Sequence, residues 1–195
     1  MNVLSPPAAA RRKNAAATRE AILIAARRRF SGESYDTVGL RDIAGDAGVD
    51  VALVSRYFGG KEKLFREVLG NDGTDWLPPS SADELPQLLA KLFTTAEEAK
   101  HRNHAERLLV ILRSSSSSPA AAAIVREALS RDVLQPLAGR LDGESPEARA
   151  SLALAVWMGV TMLRTIMAVE PLCGRKGPLV DAKLALLYEA ALSEL

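Results

Sequence analysis

The sequence predicts an all-α protein: an N-terminal three-helix helix-turn-helix domain followed by a C-terminal helical bundle, about nine helices in all. Three observations predict it. Apolar residues make up 48% of the chain but aromatics only 5%, with alanine and leucine dominant, a composition that favours helix over sheet. Apolar side chains recur at three- and four-residue spacing in segment after segment. The breaks between these segments carry helix start and stop signals rather than hairpin turns.

Each element follows in order. Residues 1–14 are rich in proline and alanine, end in Arg11-Arg12-Lys13 and show no apolar periodicity, so they are expected to be a disordered basic arm. Ile22, Leu23, Ala26 and Phe30 then mark a first helix, with Ser31-Gly32 as its stop. Two short segments, Leu40 to Ala47 and Val51 to Tyr57, are joined by Gly48-Val49, and Lys61 to Leu69 makes a fourth helix. Residues 15–70 are therefore one domain, with its motif at 39–58. The segment 71–80 (NDGTDWLPPS) reads as a linker. In the second domain, 81–195, Ser81 to Glu84 is a capping-box pattern opening a helix to about Lys100. His104 to Arg113 is the next helix, and the serines Ser114 to Ser118 read as a solvated interhelical loop. Ser118-Pro119 and Ser145-Pro146 each set a cap residue before a first-turn proline, and Gly177-Pro178 opens the last helix the same way.

Charge and reactive residues narrow the function. Of the 25 Lys/Arg and 24 Asp/Glu, residues 1–70 hold 12 and 8, a net of +4, leaving a net of −3 beyond. A basic front and an acidic rear suit a protein that presents one end to a polyanion. Cys173 is the single cysteine, His101 and His104 are the only histidines, and no carboxylates pair in apolar surroundings. That leaves no nucleophile–base arrangement and no metal set, so neither an enzyme nor a cofactor is expected. The start lacks the order of a secretory signal. The apolar stretch Ser151 to Val169 is interrupted by Gly159, Thr161, Arg164 and Thr165, which reads as a buried helix rather than a membrane span. A cytoplasmic protein is expected.

Within the motif each part has a mechanical task. Leu40, Ile43, Ala44 and Ala47 line one face of its first helix, Gly48 supplies a tight turn, and Val49 fills the angle between the helices. Asp50 is placed to cap the second helix, in which Leu53, Val54 and Phe58 face inward. Val51, Ala52, Ser55, Arg56 and Tyr57 are left outward, and such a face can enter a DNA major groove about 12 Å wide. Val51 and Ala52 could touch thymine methyls, while Ser55 and Arg56 could read base edges or hold phosphates. Lys61, at the start of the fourth helix, and Arg41, on the outside of the motif's first helix, are placed as phosphate contacts. The Arg27-Arg28-Arg29 run is either a solvated face or part of the interface. The arm at Arg11 to Lys13 is either a DNA contact or an ordinary tail.

At these residues the chain resembles the TetR family of bacterial regulators. The resemblance rests on the basic-flanked first helix Thr18 to Phe30, the string Arg41-Asp-Ile-Ala with Ala47-Gly-Val49, and the closing Tyr57-Phe-Gly-Gly-Lys-Glu-Lys-Leu64, about fifty contiguous residues. Two positions depart from the pattern: Ser55 stands where many members carry a phosphate-holding tyrosine, and Gly39 replaces the usual serine or threonine cap. Tyr57 takes a place often held by histidine. The resemblance implies a sequence-specific transcriptional regulator of operator DNA, commonly a repressor released by a small ligand held among the C-terminal helices. It also implies a homodimer in which the last two helices, about 147–169 and 179–194, pack with their symmetry mates as a four-helix bundle.

For the small apolar or amphipathic effector the sequence offers Phe93, Leu108, Leu112, Trp157, Met158 and Met162, with Trp76 and Met167 nearby. His101, His104, Arg107 and Arg113 are possible polar anchors. Arg164, on an apolar helix between Leu163 and Ile166, must find a carboxylate, carbonyls or an acidic ligand. The competing reading is a helical carrier of a hydrophobic molecule without DNA affinity, favoured only by Ser55 and Gly39.

Overall fold

The computed structural model describes residues 8–70, 77–94, 98–173 and 177–194. All regular structure among them is helical. The order is α1 (Ala8–Gly32), α2 (Leu40–Ala47), α3 (Val51–Phe58), α4 (Lys61–Leu69), α5 (Leu85–Thr94), α6 (Glu98–Ser117), α7 (Pro119–Leu129), α8 (Gln135–Ala138), α9 (Pro146–Thr161), α10 (Glu170–Cys173) and α11 (Gly177–Leu192). A π turn, Ser130–Leu134, runs α7 into α8, and another, Met162–Ile166, extends α9. With α7 and α8 taken as one rod and the single turn α10 set aside, the described residues form nine helices, as the sequence predicts.

Three local expectations are corrected. Helix α1 begins at Ala8, so residues 8–14 are helical rather than disordered. Ala8 to Ala10 and Ala15 to Ala17 are the strongest helix formers, and no glycine or proline interrupts them. The serines 114–117 are the last turn of α6, not a loop. Two of their hydroxyls bond back into the helix, Ser116 to the Arg113 carbonyl at 3.1 Å and Ser117 to the Ser114 carbonyl at 3.5 Å, while the buried Ser114 hydroxyl has no partner among the described residues. Ser118 caps α7 as predicted, accepting from the Ala121 N–H at 3.4 Å. Ser145 does not cap α9. It lies in the left-handed region with φ +51°, and its side chain makes no cap hydrogen bond. The capping box at Ser81 and Glu84 forms, but it opens a 3₁₀ turn leading into α5, which ends at Thr94.

Two cores hold the chain. The first gathers Ile22, Ala26 and Phe30 of α1, Ile43 of α2, Val54 and Phe58 of α3, and Leu64, Phe65 and Val68 of α4. It also takes in Val110 of α6 and Ala121, Ile124, Val125 and Ala128 of α7, so it crosses from one half of the sequence into the other. Phe30 and Phe65 meet edge to face at 4.8 Å, with Tyr35 tilted against Phe65 at 4.8 Å. The second core joins Leu85 and Leu89 of α5, Leu137 and Ala138 of α8, Ala150 and Ala153 of α9, and Leu184, Tyr188 and Leu192 of α11.

Polar contacts fasten α6 and α7 to the first four helices. Arg113 donates to the Gly32 carbonyl at 2.9 Å and Arg107 to the Leu69 carbonyl, so two arginines cover the carbonyl ends of α1 and α4. Arg66 of α4 pairs with Glu127 of α7 at 2.5 Å. The Ser118 hydroxyl bonds the Asp36 carboxylate at 3.2 Å. Elsewhere Arg149 is buried, donating to the carbonyls of Leu192 at 2.8 Å and Asp142 at 2.6 Å, which ties the end of α11 to the loop before α9.

Candidate nucleic-acid interface

The corner between α2 and α3 forms as its residues dictate. Gly48 ends α2 in the left-handed conformation, φ +66°, which a residue with a Cβ adopts only at a cost. The chain turns there, and the Val49 N–H returns to the Ala44 carbonyl at 3.0 Å. Asp50 then caps α3 by accepting from the Ala52 N–H at 2.7 Å. At the other end of α2, Gly39 has no hydroxyl to offer. Asp42 compensates in part, its carboxylate accepting from the Gly39 N–H at 3.2 Å.

Burial divides α3 into two faces. Val54 and Phe58 are inside the first core and Leu53 is half-buried, as the spacing predicts. Ala52, Ser55 and Arg56 are exposed, and so are Arg41 and Asp50. Val51 and Tyr57 are half-buried against the same core, so they flank the outward face rather than standing on it. Arg41, Ser55 and Arg56 make no hydrogen bond or ion pair among the described residues.

Two basic positions behave differently from expectation. Arg29 is tied within the protein: its guanidinium grips Asp46 of α2 through two bonds, 2.5 and 2.8 Å, and Glu33 at 2.9 Å. The hydrogen bonds from Arg29 hold the Asp46 carboxyl below the usual carboxylate range. Lys61 does not reach outward. Its ammonium donates to the Asp36 carbonyl at 3.3 Å and lies 4.6 Å from the centre of the Tyr35 ring, and burial pulls its pKa down. Sequence spacing placed Lys61 at a helix start correctly, but the loop that captures it is invisible to periodicity. Arg28, by contrast, is exposed.

The predicted effector residues differ in exposure. Leu108 is fully buried; Trp157, Met158 and Arg164 are half-buried; Leu112 and Met162 are exposed; the side chain of Phe93 lies outside the described residues, as do those of Trp76, His101 and His104. A cleft between the end of α4 and the α6–α7 pair is lined by one of the predicted polar anchors, Arg107, and otherwise by different residues, among them Leu69, Ile111, Val125, Leu129 and Asp132. Its 210 Å³, open solvent included, falls short of the roughly 300 Å³ at which sites for drug-sized ligands begin. Among the described residues no group of His, Cys, Asp and Glu could hold a metal ion, and no helix is long and apolar enough to cross a membrane.

The sequence pattern marks the last two helices as apolar, with Leu152, Val156, Val160 and Leu163 on one and Leu184, Leu187 and Ala190 on the other; of these, Leu152, Leu163, Leu187 and Ala190 stand in solvent. Leu152, Ala155, Gly159 and Met162 follow one face of α9 with Leu163 beside them, and Leu179, Ala182, Leu186 and Ala190 follow one face of α11 with Leu187 beside them. Leu179 is 71% exposed and Leu187 52%.

Two family models match the chain. Residues 22–68 match the family described as bacterial regulatory proteins, tetR family, and residues 83–190 match the tetracyclin repressor-like C-terminal domain. No curated protein sequence matches. Among solved structures, the chain is similar to the transcriptional regulator FadR from Bacillus subtilis in complex with stearoyl-CoA, with a TM-score of 0.62, 19% identity, and 91% and 99% of the two chains covered. It is similar to SmeT in complex with triclosan, with a TM-score of 0.57, 22% identity and 90% of each chain covered. A TetR-family regulator from Streptomyces coelicolor A3 shares 27% identity over 99% and 100% of the chains, with a TM-score of 0.49. The reading corner at α2–α3 and the helical second half, which alone spans more than half of the 195 residues, meet in one assignment: the chain belongs to the TetR family of DNA-binding transcriptional regulators.

Proposed function

We propose that this chain is a homodimeric repressor that binds operator DNA through α3 and is released by a small apolar or amphipathic effector held in its C-terminal half. One observation carries the DNA-reading part. On a helix capped by Asp50 and anchored by Val54 and Phe58, the exposed side chains are short or basic, Ala52, Ser55 and Arg56. Ala52 contacts a thymine methyl, Ser55 and Arg56 reach base edges or phosphates, and Arg41 holds a phosphate beside the groove. Val51 and Tyr57 border this face. Asp50 acts through the cap, and Lys61 through the loop it braces.

Dimer formation is supported by the apolar faces of α9 and α11, which a second copy would cover as a four-helix bundle. Two half-sites read by one dimer supply the specificity a single α3 lacks. The effector reading is supported by the two structural relatives that hold stearoyl-CoA and triclosan. In this chain Leu108, Leu112, Trp157, Met158, Met162, Phe93 and Arg164 are its proposed contacts. Working on DNA, the protein belongs in the cytoplasm.

The test is a gel shift on the region upstream of the protein's own gene against random duplex. Arg56→Ala is expected to weaken binding to the upstream DNA by about 1–3 kcal/mol, roughly five- to 160-fold, while melting and dimerisation stay unchanged. Equal affinity of the wild-type protein for both duplexes would remove the reading.

A further inference from the structure

Arg149 stands near the start of α9 and is buried, and we infer that it is a positioning residue for self-association, a clasp between α9 and α11 that lets a second copy meet both apolar faces at once. This rests on the dimer reading above. The placement runs against local preference. A guanidinium near the start of a helix faces the positive end of the helix dipole, which weakens the helix on its own. Burying it adds a desolvation cost unless its donors are met. Groups outside α9 must therefore hold it.

Three carbonyls do so. The guanidinium donates to Leu192 at 2.8 Å, Asp142 at 2.6 Å and Glu144 at 3.1 Å. No carboxylate pairs with it among the described residues. Leu192 ends α11, whose last carbonyls have no partner within the helix, so Arg149 covers that end from outside. Asp142 and Glu144 belong to the loop before α9, which is bent by two left-handed residues, Gly143 at φ +85° and Ser145 at φ +51°. A Cβ on Gly143 would collide with the Glu194 carboxylate just beyond α11, so this loop and the end of α11 lie in direct contact. The strain at Ser145 is offset by the two loop carbonyls that meet one guanidinium. Only a planar fork spans all three acceptors.

The topology gives the clasp its task. Helices α9 and α11 pack on each other in opposite directions, and residues 162–176 join them at one end only. Arg149 closes the other end. The leucines left in solvent lie on both helices, Leu152 and Leu163 on or just past α9, and Leu179, Leu186 and Leu187 on α11. A four-helix bundle packs such faces at a set crossing of about 20°, so a hairpin free to splay would offer one helix without the other.

The test is sedimentation equilibrium of the full-length protein over a concentration series, with backbone hydrogen exchange followed on dilute protein. Arg149→Met keeps the stem and removes the donors. Each protomer then loses charge-assisted bonds worth about a factor of ten, so the dimer should form about a hundredfold more weakly. Exchange should quicken in residues 188–193 and stay unchanged in α3 and α4. Arg149→Lys keeps the charge without the fork and should weaken association about tenfold; it carries the test if Arg149→Met does not fold. A folded variant that dimerises like the wild type overturns the inference even if the end of α11 exchanges faster, because Arg149 would then serve the fold alone. Weaker association with unchanged exchange overturns it as well. Failure of the dimer reading would show separately, as a wild-type protein that sediments as a monomer at every concentration.

Discussion

The two cores differ in what they leave unfinished. The first, around Phe30, Tyr35 and Phe65, is closed within one chain: α6 and α7 complete it, arginines cover the carbonyl ends of α1 and α4, and what it shows to solvent on α3 is short or charged. The second, around Leu85, Leu184 and Tyr188, leaves leucines of α9 and α11 in water and buries the Tyr188 hydroxyl without a hydrogen-bond partner among the described residues. Reading DNA needs a rigid platform with polar edges. Pairing with a second copy needs apolar surface held open until the partner arrives. The contrast also shows that a break in chain composition is not a break in packing, because the first core draws Val110 and Ile124 from beyond the linker.

The strongest test of that closed core is Phe65→Ala. Phe65 is fully buried and touches both other rings of the cluster, so its removal is expected to cost about 3–5 kcal/mol in urea unfolding. Because α6 and α7 share this core, they should unfold with α1–α4 in one transition. An intact α6–α7 signal after the DNA-reading helices melt would mean the linker, not the core, divides the molecule.

Next in size is Leu187→Arg on the open face of α11. It should weaken self-association by about 2 kcal/mol, roughly thirtyfold, in sedimentation measurements, with little change in the melting of dilute protein. Unaltered association would show that some other surface closes the second core. A smaller effect of opposite sign is expected inside it. Tyr188→Phe removes a hydroxyl that is buried without a partner among the described residues, and stability should rise by about 1 kcal/mol. A loss of stability instead would show that the hydroxyl is satisfied in solution.

How much of this was legible in the sequence depends on the range of the forces involved. The α2–α3 corner was readable because Gly48 and Asp50 act on backbone within three residues, and because Val54 and Phe58 fall on one helical face. The surroundings of Lys61 were not legible because Tyr35 and Asp36 are 26 and 25 positions away in the chain and meet it only after folding. The serines 114–117 looked like a loop because their propensity is local, whereas α6 is held by Val110 inside a core. The buried arginine turned out to be Arg149 rather than Arg164: its place is fixed by carbonyls of Leu192 and Asp142, and no pattern around Arg149 marks it. The effector residues were chosen as soft apolar groups on helices, and periodicity could not say which of them would face the same way.

The smallest expected effect lies at the joint that aims the reading corner, Arg29 with Asp46. Both side chains are about one-third exposed, so water and salt screen the pair, yet two hydrogen bonds keep the carboxyl below the usual range. In the unfolded chain Asp46 titrates near the ordinary value of about 3.9, and in the folded chain lower. Between those two values the unfolded state holds more protons, so stability rises with pH across that window. The contribution is fully present above the unfolded pKa and is lost as pH falls through the folded one. Asp46→Asn should therefore melt slightly below the wild type at pH 7, and the gap should close on acidification and shrink in high salt. A gap of the same size at pH 7 and pH 2 would mean that shape and neutral hydrogen bonding, not the charge on Asp46, fasten α1 to α2.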